Sequence, residues 1–135
     1  MENESFVYDE IKPLTANDYT RTGYTFLGWS KDASATTASY INMKTVSNLT
    51  DKDGVTVTLY AVWKANTYTL TFNTNGTNVS CSEASRSVAY GQAYGALPTP
   101  TRTGYSFEGW FTSINGNTEV TSATIMGSKD VTVYA

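Results

Sequence analysis

Glu83, Glu108 and Glu119 are the first residues to weigh for acid–base work. Two carboxylates flanking a glycosidic bond can cleave it, one as acid and the other as base or nucleophile. Their spacing forces no two of them together, so an enzyme finds no support there. Asp51 and Asp53 before Gly54 outline a calcium loop only loosely. An EF-hand needs further oxygen ligands and a closing bidentate Glu, and Val55 to Trp63 supplies none. The stretch reads instead as a turn. The chain has no histidine, which removes imidazole bases, imidazole metal sites and His-based triads. One cysteine, Cys81 between Ser80 and Ser82, allows no internal disulfide and no thiolate cluster. It reads as an incidental free thiol, a reactive or dimerising thiol being the alternative. Lys12, Lys44, Lys64 and Lys129 are the types that some surface proteins cross-link to Asn, but the sequence puts none beside a buried Asn and Glu. No cofactor and no metal are expected, and the chain reads as non-catalytic.

The aromatic residues are the stronger candidates for binding. Trp29, Trp63 and Trp110 can line a sugar-stacking face or fill small cores, and their recurrence at matching places favours the core. Tyr90 and Tyr94 flank a glycine-rich turn and are the chosen ligand-binding candidates, with packing at strand edges as the plain alternative. Arg21 and Arg102 recur at matching places and read as a salt bridge or a carbonyl cap.

The elements that position these residues follow from an internal repeat. Thr20-Arg21-Thr22-Gly23-Tyr24-Thr25-Phe26-Leu27-Gly28-Trp29 returns as Thr101-Arg102-Thr103-Gly104-Tyr105-Ser106-Phe107-Glu108-Gly109-Trp110. The offset is 102 − 21 = 81 residues, and two of the ten positions differ. Such self-similarity marks tandem copies of one unit. A chain of 135 residues holds two small units, assigned to residues 1–64 and 65–135. The net charge of −3 argues against nucleic acid as a partner. No apolar run reaches the roughly 18 residues of a membrane span, and no signal peptide is visible. Met1 reads as an added start, and the natural protein as longer at both ends.

Alternation of apolar and polar residues predicts strands over Tyr24–Trp29 and its copy, Val55–Trp63, Tyr68–Phe72, Arg86–Tyr90 and Val131–Ala135. Phe6 to Ile11 reads as a short strand broken at Pro13, and Gly91 to Leu97 as one helical turn. Asn75-Gly76 predicts a tight hairpin turn with both residues at positive φ. Leu27 in one copy and Glu108 in the other point to a solvent-facing position, with Phe26 and Phe107 turned to the core. Gly28 and Gly109 suggest a bulge or a close backbone approach. Trp29 to Tyr60 spans 31 steps and Trp110 to Tyr134 spans 24, so seven extra residues are assigned to the first copy's polar loop. The first copy has no recognisable counterpart of Tyr68 to Gly76.

The stretches Tyr68–Gly76, Val88–Gly91, Leu97–Trp110 and Leu59–Trp63 together resemble the Listeria–Bacteroides repeat, the B-repeat of internalin-type bacterial surface proteins. The resemblance covers 68–135 nearly end to end and 20–63 as the back half of another unit. It implies an α+β, strand-dominated fold of tandem small β-grasp (ubiquitin-like) units. It implies an extracellular or wall-attached bacterial protein with no catalytic residues. The expected role is an adhesion or spacer stalk with weak contact to a host surface protein or glycan. The alternative is a carbohydrate-binding module of a secreted enzyme. Expected partners also include neighbouring repeat units and a strand-exchange homodimer of the fragment, with no nucleic acid and no membrane insertion.

Overall fold

The computed structural model describes residues 3–135, which fold as two compact units, 3–64 and 65–135. The first unit holds β1 (Lys12–Pro13), β2 (Tyr24–Ser30), β3 (Thr45–Val46) and β4 (Tyr60–Ala65). Here β1 pairs antiparallel with β3, and β2 pairs with β4. Its core is Leu14, Trp29 and Val46, with Phe6, Phe26, Leu49 and Leu59 packed against it.

The second unit is one five-stranded sheet of β5 (Thr67–Asn73), β6 (Ser85–Ala89), β7 (Trp110–Phe111), β8 (Glu119–Val120) and β9 (Val131–Tyr134). The order is β6-β5-β9-β7-β8, so the unit's first and last strands lie side by side at the centre. That central pair is parallel, with Leu70 opposite Val131 and Phe72 opposite Val133. On its other edge β5 runs antiparallel to β6, with Tyr68 opposite Val88. The period of two along β5 sends Leu70 and Phe72 into the core with Val88, Trp110, Met126 and Val133.

Backbone hydrogen bonds recur at equivalent positions within each of the two units. Leu14 N–H donates to Lys44 C=O, as Tyr94 N–H donates to Thr124 C=O. Lys44 N–H donates to Ile41 C=O, as Thr124 N–H does to Thr121 C=O. Trp29 bridges Tyr40, as Trp110 pairs with Val120. Glu10 N–H closes a turn on Val7 C=O with Asp9 at φ 59°, as Gln92 N–H closes one on Ala89 C=O with Gly91 at φ 76°. Val46 therefore corresponds to Met126, and residues 3–7 correspond to β6. The seven extra residues are not all in the loop after Trp29. Eleven steps join Trp29 to Tyr40 against ten from Trp110 to Val120, whereas fourteen join Val46 to Tyr60 against eight from Met126 to Tyr134. Six of the seven thus lie between Ser47 and Leu59, around the Asp51–Gly54 turn.

Several expectations are corrected. The fold is strand-dominated, and the described residues contain no helix, so the α part of α+β is absent there. Gly91 to Leu97 is not a helical turn. Gly91 and Gly95 have φ of 76° and 75°, and the N–H groups of Gly91, Tyr94 and Gly95 donate to Met126, Thr124 and Ser122 instead of to preceding carbonyls. The strand expected over Val55–Trp63 begins only at Tyr60. Its front half aligns with β9, whose partner β5 has no counterpart among residues 3–64, and an extended segment without a ladder is not a strand. The second motif strand is shortened to Trp110–Phe111. Near the front, Phe6 to Ile11 forms no strand, and the pairing falls on Lys12–Pro13 instead. The β5–β6 hairpin forms as expected, but Asn75 alone of Asn75-Gly76 has positive φ, in a longer loop that also turns at Asn78.

Candidate functional site

The repeated decapeptide builds the same local device twice. Arg21 and Tyr24 are the first and fourth residues of a turn closed by Tyr24 N–H on Arg21 C=O at 3.0 Å. Arg102 and Tyr105 close theirs at 3.1 Å. The third residue, Gly23 or Gly104, sits at φ 76° or 80°, a conformation that favours glycine. The turn brings the guanidinium onto the following ring, 3.8 Å from the Tyr24 centroid and 3.9 Å from that of Tyr105. The contact is a cation–π stack in both copies. Its signal was present in the sequence as Arg-Thr-Gly-Tyr, because a turn with Gly third sets residues one and four side by side.

The second stack is the more open, with Tyr105 66% exposed. It borders a groove of about 400 Å³ shared with Asn75, Phe107 and Glu108. A methyl added at Gly76 would stand 3.1 Å from Arg102 Nη1, so the guanidinium spans from the Tyr105 ring to the Gly76 backbone. A flat cation backing an exposed aromatic ring, with an amide and a carboxylate beside it, offers a stacking surface and hydrogen-bond partners to a polar ligand.

The two tyrosines chosen from sequence lie elsewhere. Tyr94 is buried in the second unit's core, and burial raises its hydroxyl pKa above the ordinary tyrosine value. Its counterpart Leu14 is a core aliphatic, which accounts for the placement. Tyr90 is half-buried and its N–H donates to Asn66 C=O. Trp29 and Trp110 are core residues, and Trp63 is half-buried with its ring 5.3 Å from Phe26. Leu27 and Glu108 face solvent and Phe26 packs inward as expected. Phe107 does not follow Phe26. It is exposed, its ring touching Trp110 at 5.7 Å, since its strand is not formed.

The acid–base candidates are dispersed. Glu83 is ion-paired with Arg86, whose Nε donates to Oε1 at 2.9 Å. Glu108 and Glu119 are exposed. Asp51 and Asp53 are exposed beside Gly54, and no group of three or more Cys, Asp or Glu side chains among the described residues can hold a metal ion. Cys81 is half-buried and its thiol donates to Glu83 C=O at 3.2 Å. Lys44, Lys64 and Lys129 are exposed, while Lys12 donates to Ser5 C=O and lies 4.3 Å from the Phe6 centroid. No helix among the described residues is long and apolar enough to cross a membrane.

The described residues are built of strands, and the same Arg–Tyr turn occurs twice among them. The profile of the Listeria-Bacteroides repeat domain matches residues 3–62 and 68–135, and the chain belongs to that family. Internalin H of Listeria monocytogenes is 34% identical over 127 residues, covering 93% of this chain and 21% of that protein. Two proteins of Evansella cellulosilytica with membrane-protein names are 34% identical over 90 residues and 32% identical over 110. These alignments cover 66% and 80% of this chain and 12% of each relative. The chain thus spans about a fifth or less of the relatives it matches. No solved structure matches it.

Proposed function

We propose that this chain is a non-catalytic tandem repeat module of a bacterial surface protein, a stalk element that also makes weak contact with a host surface protein or glycan. The observation that carries the reading is the double family match over 3–62 and 68–135, each copy bearing the same Arg–Tyr turn. Likeness to internalin H across 93% of the chain supports a surface location. The β-grasp architecture is the finer fold reading. A mixed sheet with its first and last strands parallel at the centre supports it, the irregular segment 90–109 standing where a helix is expected. The dispersed and ion-paired glutamates favour binding over hydrolysis.

Contact resides in this reading on the Arg–Tyr stacks. Two weak sites on one chain gain avidity when many copies line a stalk. The test is binding of the tetramerised chain to arrays of glycans and host matrix proteins. A saturable signal lost in Tyr105→Ala, and weakened in Tyr24→Ala, supports recognition at the stacks. No signal from folded protein leaves the spacer role and removes contact. A signal unchanged by both substitutions, but lost in Tyr90→Ala, moves the contact to the tyrosine chosen from sequence.

A further inference from the structure

Two Asn-Gly pairs occur in the chain, Asn75-Gly76 and Asn115-Gly116. Asn followed by Gly is open to intramolecular loss of its side-chain amide, because glycine has no side chain to hinder attack by its own nitrogen. Both pairs are exposed and lie in loops. They differ in what surrounds the glycine nitrogen, which is the nucleophile of that reaction.

At Asn115 the nucleophile is occupied. Gly116 N–H donates to Ser113 C=O at 3.0 Å and closes a turn, with Gly116 at φ 72°. That bond must break before the nitrogen can give up its proton. Nothing stands within 4 Å of a methyl built on Gly116, so no cation attends it. At Asn75 the nucleophile is open and a cation stands beside it. Gly76 N–H enters no hydrogen bond among the described residues. A methyl built on Gly76 would stand 3.1 Å from Arg102 Nη1 and 3.3 Å from Arg102 Cζ. Stacking on the Tyr105 ring, 3.9 Å from Arg102 Cζ to the centroid, holds the guanidinium there. The Asn75 amide is held by a long hydrogen bond, Nδ2 donating to Ala135 C=O at 3.3 Å.

We propose that Asn75 is a site of spontaneous deamidation promoted by the Arg102 guanidinium, and that the turn from Ser113 to Gly116 keeps Asn115 intact. Gly76 N gives its proton to solvent hydroxide and attacks Asn75 Cγ. The N–Cγ bond forms, the Cγ–Nδ2 bond breaks, and ammonia leaves with a proton taken from water. The product is a five-membered imide. Water then adds to either imide carbonyl and breaks its bond to nitrogen, which leaves Asp or its isoaspartyl isomer. The net change consumes one water and releases one ammonia. Arg102 acts at the first step, because a cation beside the nitrogen favours its anionic form. The product changes the groove that Asn75, Arg102 and Tyr105 line. A carboxylate at position 75 lies beside the cation that backs the Tyr105 ring, so ageing of the protein adds a negative charge to that surface with no enzyme required.

The experiment ages the full chain in mildly alkaline buffer and follows both sites by mass spectrometry of proteolytic peptides. Electron-transfer fragmentation separates Asp from its isomer. The expected result is conversion at Asn75 about tenfold or more ahead of Asn115, a factor matching one pKa unit on the nucleophile. In the urea-unfolded chain the two sites convert at similar rates. Arg102→Gln slows conversion at Asn75 by about three- to tenfold, and Arg102→Lys, which keeps the charge, restores part of the rate. A role for Arg102 only in holding the loop predicts the opposite, since a loosened loop frees Gly76 N and speeds conversion. Added salt screens the guanidinium without any substitution, and it slows Asn75 while leaving Asn115 unchanged. Equal rates at the two sites of the folded chain, or faster conversion at Asn115, overturn the proposal. Conversion at Asn75 that is unchanged by salt, or unchanged or faster in Arg102→Gln, overturns it as well.

Discussion

Trp110 and Trp29 occupy matching places, yet replacing each by phenylalanine should have unequal consequences. Trp110 is 2% exposed, packs against Phe72, and donates its indole N–H to Pro98 C=O at 2.8 Å. Trp110→Phe loses part of a buried ring, about 1–2 kcal/mol when scaled from the range for Trp→Ala. It also loses the hydrogen bond, about 1 kcal/mol net. The sum is about 2–3 kcal/mol. Trp29→Phe loses a similar slice of ring, but it also removes a buried donor that has no partner. An unsatisfied buried donor costs about 1–3 kcal/mol, and this relief offsets the lost packing. The expected net change is within about 1 kcal/mol of zero. A urea titration followed by residue-resolved amide spectra separates the units, with Leu14 and Val46 reporting the first and Leu70 and Val133 the second. Equal losses in the two units would refute the reasoning, because they would mean that both indoles are equally satisfied or that ring volume alone decides.

Gly28 and Gly109 should also part company. Gly28 lies at φ 140°, and an added methyl would collide with Tyr40 C=O and stand 2.8 Å from Ala38 Cβ. Gly28→Ala should cost the first unit about 2–4 kcal/mol through strain and displaced backbone. Gly109→Ala meets only the Glu119 and Phe111 side chains, at 3.3 Å and beyond, and should cost the second unit under about 1 kcal/mol in the same titration. Burial raises the Tyr94 pKa, so the neutral hydroxyl is favoured by folding. That contribution is complete below the unfolded value of about 10 and is lost as pH rises through the higher folded value. Alkaline unfolding of the second unit should therefore be delayed in Tyr94→Phe, which amide spectra recorded between about pH 9 and 11 would check.

Much of this was legible along the chain. The decapeptide repeat announced two copies, and the alternation in Tyr68–Phe72 announced β5 together with its antiparallel partner. The contrast of Leu27 with Glu108 located the solvent face. Arg-Thr-Gly-Tyr carried the stacked pair as well, because a turn with Gly third sets its first and fourth residues side by side. The placement of Tyr94 was not legible. Its counterpart Leu14 emerges only once hydrogen bonds align the two units across a stretch whose lengths differ.

Local pattern by itself determined which segments are extended, where they turn and which face each strand turns inward, since these depend on neighbouring residues and on the period of two. Val55–Leu59 marks the boundary of that knowledge. Its alternation is as regular as that of β5, yet one is a strand and the other is not. A strand is a property of a ladder, and a ladder needs a partner that sequence pattern does not name. Only the tertiary structure decided that β9 finds β5 while its equivalent in the first unit faces an open groove, because hydrogen bonding between distant segments, not the character of either one, makes the sheet.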